Sequence, residues 1–240
     1  EQRRLLLINK EDERKFEFIV GFAITRLCNL GMIYRVNRGN YVISDFGMEQ
    51  LRTDKEELNK RIAEYDVNVK KNRLIAYKIF KSANERFLKE EKENINRNIS
   101  EINLCQNLAN YSRDSMMKCR VDGYYADVEY DRNENMIKTI IDNEMKVIAI
   151  KCDLIVHSRG NNLQQDNLIA IEMKKATNSK KRKEDKERLE YMTKQTYNNE
   201  IIFGELPRHI CRYALGIFYD IDIKKRQVNL EYYGSKVNYI

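Results

Sequence analysis

The stretch AIKCDLIVHSRGNNLQQDNLIAIEMKK, from Ala149 to Lys175, decides how this chain folds. Two apolar runs, within KVIAIKCDLIVHS and NLIAIEMKK, flank a segment rich in turn-forming residues, SRGNNLQQDN. Apolar residues at nearly every position favour strands that are buried on both faces, as the central strands of a sheet are. We therefore predict two central strands joined by this turn.

Charged residues interrupt both strands near their ends. If the strands form an antiparallel hairpin, Asp153 and Glu172 are equally far from the middle of the turn, so they face each other across the ladder. Glu172 and Lys174 are two residues apart and share one face of the sheet, whereas Ile171 and Met173 point into the core. We expect Asp153, Glu172 and Lys174 to converge on one face.

Such a group of charges is costly to bury unless its members are paired or bind a metal ion. Mg²⁺ and Mn²⁺ both suit carboxylate ligands, and Mg²⁺ is often held by one or two carboxylates together with waters and substrate phosphates. The pattern predicts phosphodiester hydrolysis, with Asp153 and Glu172 as metal ligands and Lys174 orienting the attacking water or neutralising charge on the phosphate. The alternative is a salt bridge between Lys174 and one acid at a strand end.

Asp153, Glu172 and Lys174 resemble the PD-(D/E)xK motif of the restriction-endonuclease-like nucleases, with Cys152 in the place of the proline. The segments SEINLCQNLANY, ADVEYDRN, DKERLEYMT and RYALGIFY follow the order seen in bacterial nucleases from defence loci. The resemblance covers residues 98–222. It implies an α/β fold with a mixed central sheet flanked by helices, and a metal-dependent DNA endonuclease of restriction or phage defence.

The resemblance also implies that the first helix contributes an acid near the metal, and Glu101 fits that position. Glu129, in DVEYDR, alternates with its neighbours and faces either the site or the solvent. His157 and His209 lack the spacing of a metal or HNH motif, so we predict structural roles for both.

The N-terminal part of the chain predicts a DNA-binding segment. A helical pattern spans Arg14–Ile33, and the residues after it alternate around NRGN, which indicates a β-hairpin. A helix followed by a hairpin with a basic tip resembles the end of an Mrr-type winged-helix domain. The residues that we expect to contact DNA are Arg35, Asn37, Arg38 and Asn40.

These patterns divide the chain into three parts. Residues 1–53 form a partial winged-helix segment, residues 54–97 a long helical linker of one or two helices, and residues 98–240 the nuclease domain. Ser100 is the expected N-cap of the first helix of that domain.

The composition of the chain indicates which kinds of partner it can bind and where it is located. The chain has 240 residues and 44 basic against 37 acidic side chains, a net charge of +7 that favours an anionic partner such as double-stranded DNA. Its five cysteines form no CxxC pair, which indicates reduced thiols and the cytoplasm, and no apolar run is long enough to predict a membrane span. Cutting both strands requires two active sites, so we predict a homodimer, with a partner protein as an alternative source of the first winged-helix segments.

Two other function classes stay open from the sequence. One is a non-catalytic DNA-binding protein that uses a nuclease-like fold, and the other is a structure-specific or RNA-directed nuclease, because one fold can host several activities.

Overall fold

The computed structural model describes residues 27, 32–37, 40–50, 52, 55–133, 136–141, 147–162, 165–175, 181–193 and 211–234. Its helices are α1 (Asp45–Gln50), α2 (Lys55–Glu90), α3 (Lys92–Asn96), α4 (Glu101–Lys118) and α5 (Arg182–Thr193). Its small two-stranded sheets pair β1 (Ile33–Asn37) with β2 (Asn40–Ile43), β4 (Arg132–Asn133) with β5 (Met136–Ile137), and β6 (Thr139–Ile141) with β7 (Val147–Ala149). The central sheet contains β3 (Tyr125–Val128), β8 (Leu154–His157), β9 (Asn167–Lys175), β10 (Leu215–Asp222) and β11 (Gln227–Tyr233).

The central sheet has five strands in the order β11-β10-β9-β8-β3. β9 and β10 run parallel, and the other neighbours run antiparallel, so the sheet is mixed. β9 lies in the middle and is buried along its first seven residues, as its continuous apolar sequence requires. The predicted α/β class with a mixed central sheet is confirmed.

The register of β8 against β9 is the predicted one. Leu154 pairs with Ile171 and Val156 with Ile169, so Asp153 is level with Glu172 at the end of the ladder. The prediction of one continuous strand through KVIAIKCDLIVHS was wrong. That run is split because β7 pairs with β6 in a separate hairpin and the Ile150 N–H donates to the Lys138 carbonyl, so β8 begins only at Leu154.

Helices cover both faces of the central sheet. On one face, α2 and α4 contribute Phe80, Phe87 and Leu108 to a core that also contains Ile171 and Met173 of β9. On the other face, α5 packs against the sheet; the residues of this second core include Ile155, Ala170, Leu189, Met192 and Phe218. Ile171 and Met173 therefore point into the core, as predicted.

The segment expected to be helical after residue 54 forms one helix of 36 residues. Its second half carries the buried side chains Ala76, Ile79 and Ala83, which belong to the same core as the central sheet. The division into residues 1–53, 54–97 and 98–240 stays a prediction. None of the helices in the described ranges is long and apolar enough to cross a membrane.

The predicted hairpin after residue 33 is confirmed, with Tyr34 opposite Val42 and Arg35 opposite Tyr41. Most of the helix predicted over residues 14–33 lies outside the described residues, and the winged-helix interpretation stays a prediction.

Candidate active site

Two carboxylates accept hydrogen bonds from the backbone of β9, in the part of the strand that extends past Leu154, the first residue of β8. The Met173 N–H donates to Asp153 Oδ2 at 2.8 Å, and the Lys175 N–H donates to Glu101 Oε1 at 3.0 Å. These side chains take acceptor positions that a neighbouring strand would otherwise fill. Asp153 and Glu101 are thereby fixed on either side of Lys174.

Local structure places Glu101 at this position. Ser100 is the N-cap of α4, and its side chain accepts a hydrogen bond from the Asn103 N–H, so the helix begins at Glu101. The Lys175 ammonium donates to the carbonyl of Ile99 and to Asn98 Oδ1, which ties the end of β9 to the segment before α4. The predicted approach of Glu101 to the other candidate residues is present in the structure.

Lys174 lies at the centre of the candidate site. Its ammonium nitrogen is 3.8 Å from Asp153 Oδ2 and 3.9 Å from Glu101 Oε2. A third carboxylate, from Asp185 of α5, lies closer, with Oδ2 at 3.4 Å. Lys174 is half-buried, so these three ion pairs are only partly screened by solvent.

Glu172 is the most deeply buried acid of the group, with 1% of its surface exposed. Its Oε1 atom is 3.3 Å from Nη1 of Arg188, which also donates to the Lys151 carbonyl. The other terminal nitrogen of Arg188 donates to Asp185 Oδ1, so one guanidinium joins both buried acids. Asp185 in turn lies between Arg188 and Lys174.

The environment shifts the pKa values of the three motif residues in the same direction. Burial raises the pKa of Asp153, although Lys174 and the Met173 N–H act against it. Burial, reinforced by the charge of Asp153, raises the pKa of Glu172 well above its ordinary value. Burial lowers the pKa of Lys174, but the carboxylates of Asp153, Asp185 and Glu101 outweigh it and raise the pKa overall.

The donor set fits a divalent cation held by Asp153 and Glu172. Glu172 Oε1 and Asp185 Oδ2 are buried oxygens without a hydrogen-bond partner among the described residues. Burial raises the pKa of both carboxylates, and a bound cation would favour their charged forms. No three His, Cys, Asp or Glu side chains within the described ranges are grouped to hold an ion together, so the fit depends on two carboxylates and solvent, as Mg²⁺ accepts.

The remaining sequence-predicted residues lie elsewhere. Glu129 is half-exposed and forms an ion pair with Lys151 at 3.2 Å, although its N–H donates to the Asp153 carbonyl. His157 is buried and its Nε2 lies 3.0 Å from Asp127 Oδ2, which agrees with a structural role. His209 lies outside the described residues.

Of the four expected DNA contacts, Asn40 has a described side chain, which is exposed at the start of β2. Arg35 and Asn37 are placed in β1 by their backbone alone, and Arg38 lies outside the described residues. Their role in DNA binding stays a prediction.

Sequence reasoning missed Asp185 and Arg188. Both residues lie in a segment with many charged side chains, KKRKEDKER, which by itself is typical of a solvated helix face. A signal was present, because Asp185 lies four residues before Leu189 and seven before Met192, the two buried apolar residues of α5. An acid on the apolar stripe of a helix indicates a buried partner.

Comparison with known proteins gives no relative of this chain: no family model, no curated protein and no solved structure matches it. The function of this chain is therefore inferred from the geometry of Asp153, Glu172, Lys174 and their neighbours.

Proposed function

We propose that this chain is a metal-dependent DNA endonuclease of the restriction-endonuclease-like type, which hydrolyses phosphodiester bonds in double-stranded DNA. One observation carries the proposal: Asp153, Glu172 and Lys174, which resemble the PD-(D/E)xK pattern in sequence, lie together at the end of the central strand β9. Burying these charges beside one another raises the pKa of both acids, an arrangement that favours function over stability.

Asp153 and Glu172 are the residues that would hold Mg²⁺ or Mn²⁺. The bound cation would supply Lewis acidity next to the phosphodiester. Glu101 adds a third carboxylate on the other side of Lys174, at 3.9 Å from its ammonium.

Lys174 acts as a positive charge in this proposal. Its raised pKa keeps the side chain protonated at neutral pH, so it does not remove a proton from water. The ammonium instead donates hydrogen bonds to the attacking water or to a phosphate oxygen, where negative charge develops during hydrolysis.

The charge balance favours a polyanionic substrate, and double-stranded DNA is the one that we propose. The net charge of +7 attracts a polyanion, and the β1–β2 hairpin presents an exposed Asn40 at the start of its second strand. Cleavage of both strands requires two sites, so we propose a homodimer of this chain.

The test is cleavage of supercoiled plasmid in Mg²⁺, Mn²⁺ or EDTA. We expect nicking or linearisation that requires the metal and falls on the order of 10²–10³-fold in Glu172→Gln. The matched control is Glu91→Gln, which changes a buried acid held by Asn94, Asn107 and Tyr111 and should keep cleavage.

Undiminished cleavage by Glu172→Gln would contradict the assignment of the site. Parallel reactions with RNA and with a four-way DNA junction separate the other nuclease classes, since preferential cleavage of either would replace duplex DNA as the substrate. Duplex binding without cleavage of any substrate would favour the non-catalytic alternative.

A further inference from the structure

The candidate site contains its own fixed positive charge on the side of Glu172 that faces α5. Nη1 of Arg188 is 3.3 Å from Glu172 Oε1, and its Nη2 donates to Asp185 Oδ1. Both carboxylates are almost fully buried, with side chains 2% and 3% exposed, so the guanidinium is held between two acids that solvent scarcely reaches. Such a cation is part of the permanent charge of the site.

The charges of the site can be counted from its ion pairs. The acids are Glu101, Asp153, Glu172 and Asp185, and the cations are Lys174 and Arg188. Four negative charges against two positive charges leave two negative charges when all six groups are ionised. One divalent cation neutralises this excess, whereas a second would leave the buried site with a positive charge.

We propose that Arg188 is a built-in counter-ion whose charge opposes the binding of divalent cations in the site, and that Asp185 is the positioning residue that holds Arg188 on one side and Lys174 on the other. The inference rests on the proposed function for the identity of the metal ligands. It adds that the positive charge on the α5 side of Glu172 is supplied by a side chain of the protein, Arg188.

The geometry explains why a guanidinium suits this position. Arg188 is three residues after Asp185 on α5, a spacing that places both side chains on one face of the helix. Its planar group reaches Glu172, Asp185 and the Lys151 carbonyl at the same time. Glu172 Oε1 still has no hydrogen-bond partner among the described residues, so the contact neutralises charge without saturating the oxygen.

The test is a titration of the full-length chain with Mn²⁺ at pH 8, in which free Mn²⁺ is followed by electron paramagnetic resonance. We expect one ion per wild-type chain, lost in Glu172→Gln. In Arg188→Met we expect the ion to bind on the order of tenfold more tightly, because a positive charge next to the ion is gone. Arg188→Lys keeps the charge and should keep one ion.

Asp185→Asn provides a change of opposite sign. It removes a negative charge, so the affinity for Mn²⁺ should fall several-fold while the number of ions stays at one. General disruption of the site would weaken binding in every variant, whereas only the loss of a competing charge strengthens it in Arg188→Met. If Arg188→Met does not fold, as judged by circular dichroism, Arg188→Gln takes its place because its amide can still hydrogen bond to Asp185.

Two outcomes overturn the inference. One is a wild-type chain that binds two ions, both dependent on Glu172, and the other is an Arg188→Met variant with unchanged number and affinity. A wild-type chain that binds no Mn²⁺ overturns this inference and the metal-dependent function together. The expected titrations combined with no cleavage of any nucleic acid overturn the proposed function alone.

Discussion

Replacing Glu172 by glutamine should stabilise the metal-free protein at pH 8. The residue is 1% exposed, its Oε1 accepts no hydrogen bond from the described residues, and burial beside Asp153 raises its pKa well above 4.5. Ionised Glu172 therefore destabilises the fold, and an isosteric amide removes the charge. We expect the free energy of unfolding to rise by about 1–3 kcal/mol, the range for a buried polar group without a partner. That corresponds to roughly 2–4 °C in Tm per kcal/mol.

The pH dependence of this gain has a defined sign. Because the pKa of Glu172 is higher in the folded than in the unfolded state, the unfolded chain releases its proton first as pH rises above 4.5. Wild-type stability is therefore lost as pH rises through and above that value, and the advantage of Glu172→Gln should disappear near pH 4.5. Urea unfolding in EDTA at pH 4.5, 6 and 8 measures this difference.

Magnesium should reverse the ranking, because only the wild type retains both metal ligands. At a concentration of 1,000 times Kd, a ligand that binds only the folded state adds about 4.1 kcal/mol, which exceeds the expected gain of the variant. The control, Glu91→Gln, should lose stability at pH 8 in EDTA, since hydrogen bonds from Asn94, Tyr111 and Asn107 outweigh burial and lower the pKa of Glu91. A Glu172→Gln protein less stable than wild type in EDTA at pH 8 would refute the argument from burial.

Three further predictions concern the fold around the site. Phe87→Ala should lower the free energy of unfolding in urea by about 3–5 kcal/mol, because Phe87 is fully buried between α2 and the sheet. Leu88→Ala, at the exposed neighbouring position, should change it little. A loss under about 1 kcal/mol for Phe87→Ala would show that α2 does not pack in this core. Ser100→Ala removes the N-cap of α4 and should cost about 1 kcal/mol, and an unchanged Tm would show that the cap is dispensable. Burial lowers the pKa of Lys138, so wild-type stability relative to Lys138→Met should rise as pH increases towards 10.5; a constant difference would contradict a buried ammonium.

The sequence was sufficient to predict the β8–β9 hairpin because its symmetry is local. Asp153 and Glu172 flank one turn segment, and alternation along NLIAIEMKK separates Glu172 and Lys174 from the core-facing Ile171 and Met173. The break between β7 and β8 could not be predicted, because the residues on both sides of it are apolar and the cause is a distant contact, the hydrogen bond from Ile150 to Lys138.

The neighbours of the motif were harder to predict because they depend on tertiary packing. The spacing of Ala76, Ile79 and Ala83 indicates an apolar stripe on α2, but no local pattern states which surface that stripe covers. Asp185 and Arg188 belong to a helix with so many charges that a buried acid and its partner resemble a solvated pair in sequence. The burial of Asp185 follows from the position of Leu189, which packs that face of α5 against the sheet.

The residue directly before β8, Asp153, explains both why the candidate site forms here and how it should be tested. Asp153 is a candidate metal ligand and also the acceptor for the Met173 N–H at 2.8 Å. Asp153→Ala would leave that donor without its acceptor, so lost cleavage could reflect a disturbed β9 as well as a lost ligand. Asp153→Asn keeps an acceptor oxygen and removes the charge. Lost cleavage in Asp153→Asn with an unchanged Tm would therefore assign the carboxylate a chemical role. Lost cleavage together with a lowered Tm would show instead that Asp153 serves to hold β9 in place.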